Sequence, residues 1–285
     1  MTNSLATSIG TLYIVATPIG NREDITLRAL SLLKSVDLIL AEDTRHSLQL
    51  LNALGIKNNV SSLHAHNEED KSKHILVQLL EGKSIALISD AGTPLISDPG
   101  YPLVKLARDH HIPVVPIPGP SALITALCAA GVPCDTFIFS GFLPARQHAR
   151  KTKLTSLHAV PHTLIFYEST HRIIDCLSDI AEIYGSECEM VLAKELTKTF
   201  ERFISGTVLI VKEWLLAEPN HTKGEFVLII PPRLISEQKN DDEKLLTVLL
   251  KELPLKQAVT IACQLTTTPK NNLYIKALKI KENLP

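Results

Sequence analysis

The sequence predicts an α/β chain, with two α/β domains followed by a small helical unit. Three observations carry that. In the first 130 residues, short apolar β-rich runs alternate with segments of helical spacing, the mark of parallel strands joined by crossover helices. Two of those runs end in tight glycine- and proline-bearing loops of the kind that hold ligands at strand ends. From Phe137 onward the strand signals crowd too closely for a crossover helix at every step, so part of a second sheet is expected to be antiparallel.

In chain order, the first strands are expected at Leu12–Ala16, Asp37–Ala41, Ile85–Ile88 and Val114–Ile117. Helices are expected at Ile25–Ser35, His46–Leu54, Asp70–Glu81 and Leu103–Asp109. The second set of strands is Phe137–Phe139, Thr163–Tyr167, Met190–Ala193, Phe203–Ser205 and Phe226–Ile230. Two clear helices, Arg146–His158 and His171–Tyr184, interrupt it. Arg233–Lys244 is polar and charged and reads as a linker. Glu243–Leu253, Leu255–Leu265 and Lys270–Lys281 are helical, with a turn at Thr266-Thr267-Thr268-Pro269, which gives the tail a helix-turn-helix look. The expected domains are therefore 1–120, 121–232 and 243–285.

The most informative stretch is Ser84–Gly100. The apolar run Ile85–Ile88 stops at Ser89-Asp90 and opens into a loop built from Ala91, Gly92, Thr93, Pro94, Pro99 and Gly100. Small residues let backbone approach a ligand, and Asp90 and Asp98 add carboxylates. Pro118-Gly119-Pro120-Ser121-Ala122 follows Val114–Ile117 in the same manner. Two such loops point to a pocket for a small organic cofactor.

Length and composition bound the rest. The 285 residues suit about two domains, and 45% hydrophobic content supplies a core. With 29 Lys+Arg against 30 Asp+Glu, overall charge does not mark a nucleic-acid binder, though local patches can. The five cysteines are scattered without a CxxC pair, several in apolar surroundings, and read as buried reduced thiols of a cytoplasmic protein. Met1–Ser8 does not resemble a signal peptide, and no apolar run reaches about 18 residues, so no membrane partner is expected.

Other features have two readings each. His64-x-His66 with Glu68 lacks further ligands at metal-binding spacing, so no metal is expected. Arg146, Arg150, Lys151 and Lys153, with His148, form the densest basic cluster. It is either a solvated helix face or an RNA-backbone contact. Tyr167 is a core tyrosine or a cofactor-stacking one. Trp214 and Leu215-Leu216 read as core. The five lysines after Pro254 serve either packing of the tail or nucleic-acid contact.

The segment Gly10–Asn21, followed by Asp24-Ile25-Thr26, resembles the opening of the tetrapyrrole methylase superfamily. Eight further blocks follow in family order: Ala41–Arg45, His64–Glu68, Ser89–Gly100, Pro118–Ala122, Gly141–Pro144, Phe166–Ser169 with His171-Arg172, Lys194–Lys198 and Lys223–Phe226. They are most similar to the branch that acts on small-subunit ribosomal RNA, whose C-terminal helical piece is matched by Leu255–Leu265 and Pro269–Tyr274. Ser140 departs from the pattern, which expects an acidic residue before Gly-Phe-Leu-Pro.

The resemblance implies two α/β domains flanking a cleft for folded S-adenosylmethionine, and a homodimer. Pro18, Asp90, Ala91, Gly92, Thr93, Pro94, Ile96, Ser121, Ala122, Tyr167, Gly224 and Glu225 would line the cofactor site. The implied reaction is methyl transfer to the ribose 2′-hydroxyl of a cytidine in the decoding region. The implied partner is small-subunit ribosomal RNA, either naked or in the assembled subunit. A tetrapyrrole precursor is the alternative substrate. A ribose hydroxyl is a poor acid, so a base or a cation near the oxygen helps. Glu42, Asp43, Glu168, Lys194 and Glu195 follow predicted strand ends and are the candidates, with no choice among them.

Overall fold

The computed structural model describes residues 9–233, 238–266 and 268–282. Met1–Ser8, part of the expected linker (234–237) and Thr267 of the expected turn lie outside the described residues. The chain forms two compact units, Met1–Pro232 and Arg233–Pro285.

The first unit holds two five-stranded sheets. The first comprises β1 (Leu12–Val15), β2 (Leu38–Ala41), β3 (Val60–Ser62), β4 (Ile85–Ile88) and β5 (Val114–Ile117), all parallel in the order β3-β2-β4-β1-β5. Its central strand β4 is buried along its whole length, as a parallel sheet covered on both faces requires. Leu12 pairs with Ile85 on one side and Val114 on the other. Helices α1 (Leu27–Ser35), α2 (Thr44–Ala53), α3 (Glu68–Leu80) and α4 (Tyr101–Asp109) are the crossovers. Thr26 caps α1 by accepting from Ala29 N at 3.2 Å, and Asp43 caps α2 by accepting from Arg45 N at 2.8 Å. Val15, Ile39, Ala86 and Leu51 pack one core layer, and Leu12, Leu40, Leu79 and Leu103 another. Each fully buried Leu or Ile contributes about 1.5–3 kcal/mol.

The second sheet is mixed. It is built from β6 (Phe137–Phe142), β7 (Thr163–Ser169), β8 (Glu189–Lys194), β9 (Arg202–Thr207) and β10 (Glu225–Ile230), in the order β6-β7-β10-β8-β9. β6 pairs parallel to β7, with a register shift between Phe139 and Phe142, and the other pairings are antiparallel. Helices α5 (Ala122–Ala129), α6 (Gln147–Ser156), α7 (Ile173–Tyr184) and α8 (Val208–Ala217) complete this half.

The second unit is α9 (Gln238–Glu252), α10 (Leu255–Leu265) and α11 (Lys270–Glu282), packed on Leu246, Val259, Ala262, Leu273 and Ala277. No helix among the described residues is long and apolar enough to cross a membrane.

The fold class and the partly antiparallel second sheet match the sequence reading. Several details do not. β3 is a three-residue edge strand with no fully buried residue, too short to show a pattern. α5 has too even an apolar composition to show helical periodicity. α8 opens on Val-Leu-Ile-Val, which reads as strand, but Thr207 caps it by accepting from Ile210 N. α9 begins at Gln238 rather than Glu243 because its first turns are polar. Leu216 is exposed although its neighbour Leu215 is buried. Cys176 and Cys188 are buried thiols, whereas Cys128 and Cys134 are exposed.

Candidate functional site

A cleft of about 520 Å³ opens within the first unit. One wall comes from the loop after β4. There Gly92 exchanges backbone hydrogen bonds with Thr17, with N···O distances of 2.9 and 3.0 Å. Ser89 Oγ donates to Gly92 O at 2.9 Å, and Thr93 Oγ1 donates to Pro120 O at 3.0 Å, which ties the loop after β4 to the loop after β5. Gly92 has φ +83°, and Leu95 and Ser97 hold φ of +71° and +72° without being glycine. Backbone held in this region by surrounding contacts is characteristic of binding loops. Glu68 Oε2 accepts from Gly100 N at 2.9 Å and anchors the loop's far end, so this carboxylate of the His64–Glu68 block is structural.

The facing wall comes from the mixed sheet. Tyr167–Thr170 end β7, and Gly224–Val227 begin β10 beside them because Glu225 pairs with Ser169 in antiparallel register. Tyr167 packs edge-on against Phe139 and Phe142, and its hydroxyl accepts from Leu123 N at 3.0 Å. Ile19, Ile96, Leu196 and Val227 make the lining partly apolar.

The polar side of the cleft is acidic. Glu42, Asp90 and Asp98 line it, and Asp90 Oδ1 accepts from Asp43 N at 3.2 Å. Burial, then the neighbouring Glu42, push the Asp98 carboxyl up to about 6; Asp90 adds to this and a hydrogen bond from Ser89 opposes it. Asp98 Oδ2 is buried without a hydrogen-bond partner. Burial, then Asp90, also raise Glu42, while His64 works against them. Crowded acids that resist ionisation are matched by a cationic ligand. Asp98 lies outside the cofactor residues that the resemblance implies, and its place in the Asp-Pro-Gly end of the loop is the sequence signal for it.

Of the expected cofactor residues, Asp90, Ala91, Gly92, Thr93, Ile96, Ser121, Ala122, Tyr167, Gly224 and Glu225 line this cleft. Pro18 and Pro94, both buried, are not among the residues that line it. The five acid–base candidates separate. Glu42 and Glu168 line the cleft, but Glu168 is fully engaged by Ser169 N at 2.8 Å and by Arg172 at 3.3 Å. Asp43 serves as the α2 cap, and its hydrogen bonds with Arg45 hold its carboxyl low. Lys194 and Glu195 do not line the cleft. Lys194 Nζ donates to Asn220 O at 3.0 Å. Burial alone would raise Glu195, but Lys198 at 2.9 Å and Glu225 N at 3.0 Å lower it overall.

The basic cluster is also divided. Arg150 is 3% exposed, and its Nε lies 2.6 Å from Asp179, so it is an interior ion pair and does not face a phosphate. Lys151 pairs with Glu182 at 2.6 Å. Arg146 and Lys153 remain exposed. No group of three or more potential metal ligands occurs among the described residues.

Strand-end loops, an apolar slot and crowded carboxylates define an α/β protein that takes a cationic organic ligand. The chain belongs to the Tetrapyrrole (Corrin/Porphyrin) Methylases, whose family model matches residues 11–209, and the RsmI C-terminal HTH domain matches residues 236–281. It is 54% identical over 272 residues to "Ribosomal RNA small subunit methyltransferase I" of Haemophilus influenzae, covering 93% of this chain and 95% of that one. The protein of the same name from Escherichia coli O157:H7 is 50% identical, with 95% and 96% covered. Among solved structures, a Thermus thermophilus uroporphyrin-III C-methyltransferase complexed with S-adenyl homocysteine shares the fold. Its TM-score is 0.54 at 18% identity, over 77% of this chain and 97% of that one.

Proposed function

We propose that this chain transfers a methyl group from S-adenosylmethionine to the 2′-hydroxyl of a cytidine in the decoding region of small-subunit ribosomal RNA, working as a cytoplasmic homodimer. The observation that carries the ribosomal RNA methyltransferase reading is identity of half or more, along nearly the whole chain, with proteins named Ribosomal RNA small subunit methyltransferase I; the 2′-hydroxyl, the cytidine and the homodimer rest on the family resemblance. The C-terminal helical match at residues 236–281 lies beyond the methylase match at residues 11–209, an addition suited to a macromolecular substrate.

The cleft's residues fit the donor. Asp98, with its unpartnered buried oxygen, and Asp90 supply negative charge for a sulfonium. Ile19, Ile96 and Tyr167 give an adenine a partly apolar slot, while Gly92 lets backbone come close. When bound, S-adenosylmethionine supplies an electrophilic methyl group on a good leaving group. The two tied loops would hold the ligand in a fixed orientation, and such orientation is worth up to about 7–11 kcal/mol of barrier. Glu42 is the carboxylate among the five candidates that lines the cleft and makes no ion pair among the described residues, which supports it as the acceptor of the hydroxyl proton.

The test is tritium transfer from labelled S-adenosylmethionine into small ribosomal subunits, naked ribosomal RNA and a tetrapyrrole precursor, with the labelled nucleoside identified after digestion. Label in RNA, recovered as 2′-O-methylcytidine, is expected. Label confined to the tetrapyrrole, or recovered on a base, overturns the reading.

A further inference from the structure

A second cavity of about 460 Å³ adjoins the first, with Gly224 lining both. It lies between the end of β8, the connection into β9, the end of α8 and the connection into β10. Its chemistry is aromatic and basic. Phe200 lines it and is 69% exposed, so its ring is open to a ligand. Trp214 forms another wall, stacked on His221 with centroids 3.8 Å apart and planes 7° from parallel.

Three cations line the same cavity. Arg202 is exposed and makes no ion pair among the described residues, and its guanidinium donates to the Glu201 carbonyl. Lys223 and Lys194 donate to Asn220, both to neutral oxygens at 3.0 Å. Of the two carboxylates present, Glu195 is occupied by Lys198, and Glu218 lies 3.5 Å from His221. Three cations against two carboxylates leave the lining's excess charge positive, with Arg202 and Lys223 its exposed cations.

The loop presenting Phe200 is strained and held. Glu195 and Thr197 have φ of +52° and +62°. Thr197 N donates to Glu201 Oε2 at 2.6 Å, Thr197 Oγ1 accepts from Asn21 N at 3.0 Å, and Glu195 Oε1 accepts from Glu225 N at 3.0 Å. Non-glycine backbone in this region costs of order 1–3 kcal/mol per residue and persists where surroundings enforce it. The exposed ring of Phe200 follows on this held segment, in a cavity it shares with Arg202 and Lys223.

The geometry points to a subsite for one unpaired nucleotide of the RNA substrate, beside the cofactor cleft. Its base stacks on Phe200, and its phosphate sits against Arg202 and Lys223. Aromatic platforms interleaved with cations are how proteins grip single-stranded nucleic acid, whereas a paired base could not reach the ring. The shared wall at Gly224 makes the two cavities adjacent. This assignment rests on the RNA reading above.

Trp214 is the single tryptophan of the chain, so its fluorescence reports on this cavity. The probe is a seven-residue single-stranded oligoribonucleotide with a central cytidine, titrated into the full-length protein with and without a complementary strand. The single strand is expected to change Trp214 emission, and the duplex to compete poorly. Phe200→Ala should weaken the oligonucleotide at least about fivefold, the low end for one stacked base. Arg202→Gln should lower the salt slope of binding by about 0.7. Both variants should bind S-adenosylmethionine like the parent and raise KM for small subunits more than they lower kcat. Unchanged oligonucleotide affinity, slope and KM in both variants overturn the subsite, as does equal binding of the duplex. A protein that binds the oligonucleotide through Phe200 and Arg202 yet methylates no RNA would refute the methyl-transfer reading while leaving the subsite standing.

Discussion

The parallel sheet supplies the cleft from the carboxyl ends of its strands, through the loops after β4 and β5. The mixed sheet supplies it from one strand end and one strand beginning, because β10 runs against β7 and sets Glu225 opposite Ser169. The parallel half stores unusual backbone there, at Gly92, Leu95 and Ser97, with open-sided carboxylates. The mixed half stores buried charge, as Arg150–Asp179 and Glu168–Arg172. Both halves line the cleft, but among the described residues of the two the buried ion pairs sit in the mixed half alone. That division assigns the largest stability defects to the mixed half's ion pairs and cofactor-binding defects to the loops after β4 and β5.

The largest expected effect is on stability. Asp179→Ala leaves the Arg150 guanidinium buried with only the carbonyls of Pro144 and Ala145, and should cost about 3–5 kcal/mol in urea unfolding. A loss below 1 kcal/mol would break the contrast.

Gly92→Val should act on binding instead. The residue has φ +83°, and an added Cβ would sit 3.3 Å from Ile19 Cγ2, on the cleft wall. S-adenosylmethionine affinity by calorimetry should fall by more than about tenfold, because the added side chain obstructs the cleft wall and the disfavoured φ shifts the loop. Circular dichroism should still show a folded protein. Unchanged affinity removes this loop from the cofactor site.

A smaller effect sharpens the role of the acids. Folding moves the Asp98 carboxyl from 3.8 to about 6, so the folded chain binds more protons than the unfolded chain between those values. Stability of the ligand-free protein should therefore fall as pH rises from about 4 to 6, and the penalty should remain above that. A cationic donor favours the ionised form, so its affinity should rise with pH across about 6. Asp98→Asn should flatten both curves, as read by thermal melts and calorimetry from pH 4 to 8. Persistence of the affinity rise in Asp98→Asn would assign it to another group.

The smallest effect concerns the exposed remnant of the basic cluster. If Arg146 and Lys153 touch phosphates, changing both to Ala should lower the salt slope of RNA binding by about one unit per lost contact, with stability unaltered. An unchanged slope marks a solvated helix face.

Strand-ending loops were legible in the sequence because their cause is local. Ile85–Ile88 needs burial, and Gly92 and Gly100 need backbone freedom, whatever surrounds them. Collinear motif blocks likewise carried the family and the cleft's residue types. Arg150 was misread because its helical spacing says nothing about Asp179, 29 positions away, which draws it inside. Asp98 and Glu42 became a coupled pair only when two loops met. The aromatic, basic cavity joins residues from β8, β9, α8 and the β10 approach, none of which forms a motif alone. Local sequence determined which segments are strands, helices and tight loops, through periodicity and turn chemistry. Tertiary packing decided which charges are buried, which are paired and which face a ligand, because charge energetics depend on neighbours that only folding brings together.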